Sequence, residues 1–353
     1  MGRIRVAIAG VGNCASALVQ GVLKQEDGQF LEGLSFPELG GYKPSDIEFV
    51  AAFDVNKNKV GKDLGEAIFA PPNNTLKIIE PRKLGVEVMR APILDGLGKY
   101  LQQMIPLDDG KPVDVSEVLK RCSADILINY VPVGSEKAAR FYAEQALNAR
   151  VAFINAMPTF IASDPSWEKR FCESKVPIVG DDVMSQLGAT VLHKTLAKLL
   201  VERGVKIKNT YQLNVGGDAD FANMLEESRL RTKRISKTSA VQAMIPYDVP
   251  TRIGPSDFID FLENRKYAYI MLEGVYFGGA PIRIELKLEV WDAFNSAGVI
   301  VDAIRVAKIA KDIGLGGAII SACAWTMKHP PVQMSYEEAK KALLEFVEGK
   351  RER

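Results

Sequence analysis

Ile4-Arg-Val-Ala-Ile-Ala9, followed at once by Gly10-Val-Gly12-Asn-Cys-Ala15, is the stretch on which the reading of this chain turns. A short β-branched run leads into a glycine turn and then into the helical pattern of Asn13 to Lys24, which is the order strand, turn, helix. In that context Gly10 permits a tight turn, Gly12 lets a phosphate approach the backbone, and Ala15 keeps helix and strand close while the helix N-terminus faces an anion. The arrangement predicts a pyrophosphate cradle for a dinucleotide, with Asn13 and Cys14 beside it. A tight turn without a ligand is the alternative.

Working outward, Phe49-Val-Ala-Ala-Phe-Asp54 reads as a second strand ending in a carboxylate. Asp54 is suited to accept from the adenosine ribose hydroxyls, favouring NAD over NADP because it repels a 2′-phosphate. It lies about twice as far from the glycines as the usual ~20 residues, and a loop over 26–47, punctuated by Gly28, Gly33, Pro37, Gly40, Gly41 and Pro44, accounts for the excess. An exposed aspartate closing a strand is the other reading. From Ser116 strands and helices alternate: helix 116–121, strand Asp125 to Asn129, helix Ser135 to Asn148, strand Val151 to Asn155, helix Pro165 to Lys175, strand Val176 to Val179, helix Ser185 to Arg203. That rhythm predicts βαβ units and a parallel sheet.

After Gly204 the pattern changes to longer alternating strands at Lys206 to Asn214, Lys266 to Tyr276 and Pro281 to Val290, the last with strict period two. They predict a second sheet, open on one face or used for assembly. Helices return at Ser296 to Lys311, Ala318 to Met327 and Tyr336 to Gly349.

The whole chain of 353 residues has 45 basic and 44 acidic side chains, so no net field draws it to nucleic acid or to an anionic membrane. Its first residues run into a segment too short for a signal-peptide core or a membrane span. Four cysteines far apart, without a Cys-x-x-Cys pair, indicate neither a zinc site nor a disulfide framework. A cytoplasmic protein with no membrane partner is expected. Because only two histidines exist, His193 and His329, lysines and carboxylates are the expected carriers of acid–base chemistry.

Such groups cluster in three places. Gly180-Asp181-Asp182 puts two carboxylates after a buried strand, where ligands bind in open α/β sheets; a helix cap accounts for one of them. Asn214-Val-Gly-Gly217-Asp218-Ala-Asp220 closes another strand with a glycine turn and two acids. Lys233 and Lys237 share one face if that stretch is helical, where their mutual repulsion calls for a phosphate or carboxylates between them. A solvated basic face or a nucleic-acid patch is the competing reading, and the missing aromatics argue against the latter.

At this point five segments resemble the myo-inositol-1-phosphate synthase family in its short prokaryotic form: Gly10 to Ala15; Asn155-Ala-Met-Pro158; Gly180-Asp-Asp182; Asn214 to Asp220 with Lys233 and Ile235-Ser-Lys237; and Val290-Trp-Asp292-Ala-Phe-Asn295-Ser296-Ala-Gly298. The resemblance implies conversion of glucose 6-phosphate to inositol phosphate through oxidation at C5 by NAD, enolisation, aldol closure and re-reduction. It implies a sugar-phosphate substrate, a homotetramer, and catalytic groups at Lys233, Lys237, Lys266, Lys328, Asp182, Asp220 and Asp292. Lys233 is expected to move the C5 proton, Lys237 and Lys266 to meet phosphate and enolate charge, and Lys328 the aldol carbonyl oxygen. The nucleotide set is Gly10, Gly12, Asn13, Cys14, Ala15, Asp54, Asn129, Asn155 and Asp181. A divalent or monovalent cation is left open. One departure is Met184, where the family has a lysine. The expected fold is α/β: a Rossmann-type parallel-sheet domain of residues 1–203 and 293–353, with 204–292 inserted as a sheet-rich α+β catalytic and tetramerisation domain. The rivals are an NAD-dependent sugar or polyol dehydrogenase, which leaves the lysines without a task, and a dinucleotide-sensing regulator, for which no helix-turn-helix stands out.

Overall fold

The computed structural model describes residues 2–26 and 32–353; positions 27–31 of the expected loop, Gly28 included, lie outside the described residues. The chain runs β1 (Ile4–Ala9), α1 (Asn13–Glu26), β2 (Ile47–Asp54), α2 (Leu64–Ala67), β3 (Val88–Arg90), α3 (Leu101–Met104), α4 (Val115–Arg121), β4 (Ile126–Asn129), α5 (Glu136–Ala149), β5 (Ala152–Asn155), α6 (Pro165–Glu173), β6 (Pro177–Gly180) and α7 (Ala189–Glu202). It continues with β7 (Lys206–Gly216), α8 (Ala219–Asn223), α9 (Arg231–Gln242), β8 (Thr251–Phe258), β9 (Arg265–Val275) and β10 (Pro281–Trp291). It closes with α10 (Asp292–Asp312), β11 (Gly317–Ala318), α11 (Ile320–Thr326) and α12 (Tyr336–Val347).

Among the described residues seven strands form one sheet in the order β11-β6-β5-β4-β1-β2-β3, with every pairing parallel. Strands such as Ile126-Leu-Ile-Asn129 are buried at every position because helices cover both faces of the sheet. Helix starts follow from capping: Asp114 accepts from the amide of Glu117 ahead of α4, Asp164 caps α6 with Pro165 behind it, and Ser335 and Glu338 form a reciprocal capping box on α12. Strand order reverses between β1 and β4, the crevice where open α/β sheets take their ligands. There the chains come very close: a Cβ on Gly10, whose φ is +94°, would stand 2.7 Å from the carbonyl oxygen of Tyr130.

The second sheet has the order β10-β9-β7-β8. Its β8 is an addition to the three expected strands; it accommodates Gly254 and Pro255 because it lies at the sheet edge, beside an irregularity in β7 between Gln212 and Asn214. The expected boundary at 203/204 is late. Ala189, Ala197 and Leu200 of α7 pack with Ile207, Ile270 and Leu272 in the second core, so the change of layer precedes α7. That helix also starts later than expected. Asn295 claims the amides of residues 186 and 187 through its carbonyl and side-chain oxygens, which keeps them out of a helical turn. No described helix is long and apolar enough to cross a membrane.

Candidate active site

One cleft runs from the glycine turn at the reversal of strand order to the ends of the second sheet. Its nucleotide side is built by β1, α1 and β2. Gly12 leaves open space where a Cβ would stand, so a pyrophosphate can approach both the backbone and the N-terminus of α1. Asp54 lines the cleft, but its carboxylate is already engaged. Oδ2 accepts from the amide of Val11 at 2.7 Å, and Oδ1 from those of Val55 and Asn56 at 2.7 and 2.9 Å, so it holds the turn in shape while lining the cleft. Asn13 spends its side chain on Asn74 and Thr75, tying that segment over the helix start. Burial, with Asp292 nearby, pushes the Cys14 thiol up to about 12. The hydroxyl of Tyr130 is buried without a partner on the cleft wall. These residues fit a dinucleotide.

Four expected nucleotide positions do not line the cleft. Ala15 is fully buried between helix and sheet, as a packing residue. Asn129, Asn155 and Asp181 form a buried polar chain behind the cleft. Asn129 donates to Asn155 at 2.9 Å and Asn155 to Asp181 at 2.7 Å, while Asp181 accepts from the amides of Ile161, Ala162 and Ser163 and from the Ser163 hydroxyl. Burial pushes Asp181 up to about 6 despite these donors. Neither Asp181 nor Asp182 serves as the expected cap of the following helix; α7 is preceded by Gly188.

The other side of the cleft gathers all seven expected catalytic residues. α9 carries Lys233 and Lys237 one turn apart, β9 starts near Lys266, α10 begins with Asp292, and Asp220 opens α8. Asp182 follows β6 in a left-handed conformation, φ +63°. The segments 181–184 and 326–329 pair like strands, the amide of Lys328 donating to the carbonyl of Asp182 at 2.7 Å. Lys328 Nζ then meets Asp182 Oδ1 at 3.0 Å, Lys233 meets Asp220 at 2.6 Å, and Lys266 meets Asp292 at 3.1 Å. Ser236 Oγ donates to Asp182 from α9. Met184 is buried outside the cleft, beside Lys194 and Trp325, so its departure from the family pattern removes nothing from the cleft wall.

Three ion pairs leave the fourth lysine alone. Burial and the ammonium groups of Lys233, Lys266 and Lys328 hold Lys237 well below the ordinary lysine value. For Lys233 burial also disfavours the charge, but Asp220, Asp182 and Asp292 outweigh it and its proton affinity rises. Asp182 and Asp292 go the other way. Burial opposes their ionisation, yet Lys328 and Lys233 beside Asp182, and Lys266 with the other two lysines beside Asp292, hold both low.

Some cleft residues had no signal in the sequence. Lys59 sits in an Asn-Lys-Asn-Lys run that reads as solvated, yet it is buried and donates to the carbonyl of Val11 at 2.6 Å and to Asn73 at 2.8 Å. Asn264 joins three walls, donating to Asp218 and accepting from Thr75 and the amide of Ala293. Only long-range contacts give such residues a task.

A family model described as myo-inositol-1-phosphate synthase matches residues 188–293, which spans α7 to the start of α10 and carries five of these seven cleft residues. The inositol-3-phosphate synthase of Mycobacterium tuberculosis is 53% identical over 98% of this chain and 96% of its own length. That of Corynebacterium glutamicum is 50% identical, covering 98% of each chain. In fold, the crystal structure of a myo-inositol-1-phosphate synthase-related protein from Thermotoga maritima is similar with a TM-score of 0.81 over 98% of both chains, at 23% identity. Identity at half of all positions, sustained from the glycine turn to the last helices, means that this chain belongs to the myo-inositol-1-phosphate synthase family.

Proposed function

We propose that the chain converts D-glucose 6-phosphate to 1L-myo-inositol 1-phosphate, equivalently 1D-myo-inositol 3-phosphate, by oxidation, enolisation, intramolecular aldol closure and re-reduction. The observation that carries the reading is the convergence of Lys233, Lys237, Lys266 and Lys328 on one cleft continuous with the glycine turn. A dehydrogenase needs one base; a reaction that develops charge at several oxygens in turn needs several fixed cations. The turn of Gly10 to Cys14 would hold NAD, which when bound would supply the hydride acceptor for C5 and the hydride that is returned after closure.

The electrostatics favour a different division of labour from the one expected. Lys237, with its depressed proton affinity, takes the proton from the C5 hydroxyl, the task first given to Lys233. Lys233, held as a cation by Asp220, joins Lys266 and Lys328 in meeting phosphate, enolate and carbonyl oxygens. Asp182, Asp220 and Asp292 keep these cations in position. Glycine turn, Asn13, Cys14 and Asp54 form the nucleotide wall, with Asn129, Asn155 and Asp181 supporting it from behind.

A cation stays in the reading as an assistant. Among the described residues no group of three or more His, Cys, Asp and Glu is disposed to hold a metal ion, so its ligands would include phosphate oxygens. The assembly we propose is a homotetramer, supported by the exposed apolar residues of the second sheet, and the compartment is the cytoplasm, in keeping with four free thiols. The experiment is incubation with glucose 6-phosphate and substoichiometric NAD. Inositol phosphate should exceed total NAD many times over, because the oxidation is reversed within each turnover. Stoichiometric NADH without cyclised product would replace the synthase by a dehydrogenase.

A further inference from the structure

The lysine side of the cleft holds a fourth carboxylate that no lysine answers. Asp218 stands in its wall and is 6% exposed. As the cap of α8 its Oδ1 accepts from the amides of Asp220 and Phe221 at 2.9 and 3.1 Å, and its Oδ2 accepts from Asn264 Nδ2 at 2.6 Å. These are three neutral donors. The charged groups around it are unfavourable or already committed: Asp220 on α8 and Asp292 on α10 repel it, while Lys233 on α9 and Lys266 on β9 are bound to those two acids. On α1, Cys14 adds no further negative charge, since its thiol stays protonated. A buried carboxylate facing two others without a cation of its own gives up its ionised form first. Burial, then Asp220 and Asp292, push Asp218 up to about 7.

We propose that Asp218 controls entry of the phosphate-bearing substrate: as a neutral acid it lends the ligand a hydrogen bond, and as a carboxylate it repels it. The inference rests on the reading of the cleft as a sugar-phosphate site. Its consequence is specific. With three lysines neutralised by three aspartates, ionisation of Asp218 adds a net negative charge where a dianion must lie. Affinity then falls by up to tenfold per pH unit once the group is ionised, as one-proton linkage requires.

The test is KM and kcat for glucose 6-phosphate at saturating NAD from pH 6 to 9, in the wild type and in Asp218→Asn, which keeps a cap acceptor without the charge. The wild-type KM should climb above neutrality, by roughly twentyfold between pH 6.5 and 8.5 for a group titrating near 7. The variant should lack that limb and bind substrate more tightly than the wild type at pH 8.5, a gain that a purely structural residue cannot give. Parallel profiles, or weaker binding by the variant at every pH, overturn the proposal. If the asparagine variant does not fold, Asp218→Ser keeps the cap and takes its place. If no inositol phosphate forms at all, the proposed activity fails separately. Calorimetric titration of wild type and variant with inorganic phosphate at the same two pH values then decides the role of Asp218 by the same criterion.

Discussion

Lys233 and Lys237 stand one helical turn apart on α9 and hold their protons in opposite ways, because one faces a carboxylate at 2.6 Å and the other faces three ammonium groups. A lysine whose affinity is depressed in the folded state binds fewer protons there than in the unfolded chain. Its burial therefore costs stability at any pH below the ordinary lysine value, a cost that shrinks as pH rises toward it. Lys237→Met removes the buried amine and keeps the length of the side chain. It should raise the melting temperature at neutral pH while lowering kcat by on the order of a hundredfold or more, the usual worth of a proton-transfer group. Thermal unfolding and steady-state kinetics on the same preparation check both halves; a kcat within tenfold of wild type would remove Lys237 as the base. In the sequence these two lysines could be seen to need anions between them, but which of them lacks one depends on where Asp182, Asp220 and Asp292 lie in space.

At the scale of elements, α10 links the cleft to the periphery. It starts with Asp292 among the lysines and carries, three turns on, an arginine that is 0% exposed. Arg305 meets Asp302 at 2.5 Å and donates to the carbonyls of Phe36 and Tyr42, while Asp302 accepts from the indole of Trp325 at 3.1 Å. One helix thus secures the described end of the long loop and the end of α11. Burial lowers the arginine's proton affinity and raises that of Asp302, the expected opposition when a pair is desolvated. Removing one partner leaves the other charge buried, which costs about 3–5 kcal/mol. Arg305→Met should accordingly lose that much in urea unfolding. A loss below about 1 kcal/mol would mean that the loop carbonyls and water replace the pair. The same helix shows how element boundaries were misjudged, since Asn295 on its first turn delays α7 by capturing the amides of residues 186 and 187.

For the molecule as a whole, the second sheet has one face on α7 and α9 and another that is uncovered in the single chain. On the open face Leu213, Tyr269 and Lys287 lie in one row across three strands; Leu213 is 37% and Tyr269 42% exposed. The strict alternation of β10 faces the other way. Ile282, Ile284, Leu286 and Leu288 lie against the second core at its edge and are only partly covered. Apolar side chains left half covered along an edge strand and an open face are a route to a closed assembly. Leu213→Lys combined with Tyr269→Lys should dissociate the proposed tetramer, as read by light scattering on a size-exclusion column, with the far-ultraviolet circular dichroism unchanged. An unaltered mass would put the assembly contacts elsewhere.

Local order alone was enough to determine the parallel sheet, the glycine turn at the head of α1 and the period-two strands of the second sheet, because strand and helix periodicities and turn chemistry act over a few neighbouring residues. β8 was hidden, since glycine and proline are tolerated only by virtue of an edge position that the rest of the sheet creates. The family motifs marked Lys233, Lys237, Lys266 and Lys328 as residues of interest. Which lysines are paired with carboxylates and which one is not, that Asp218 is the unanswered acid, and that Asn129, Asn155 and Asp181 lie behind the cleft were decided only by the tertiary structure. Proton affinity and hydrogen-bond satisfaction depend on burial and on charges a few ångströms away, and here those charges come from elements as far apart in the chain as β6 and the end of α11.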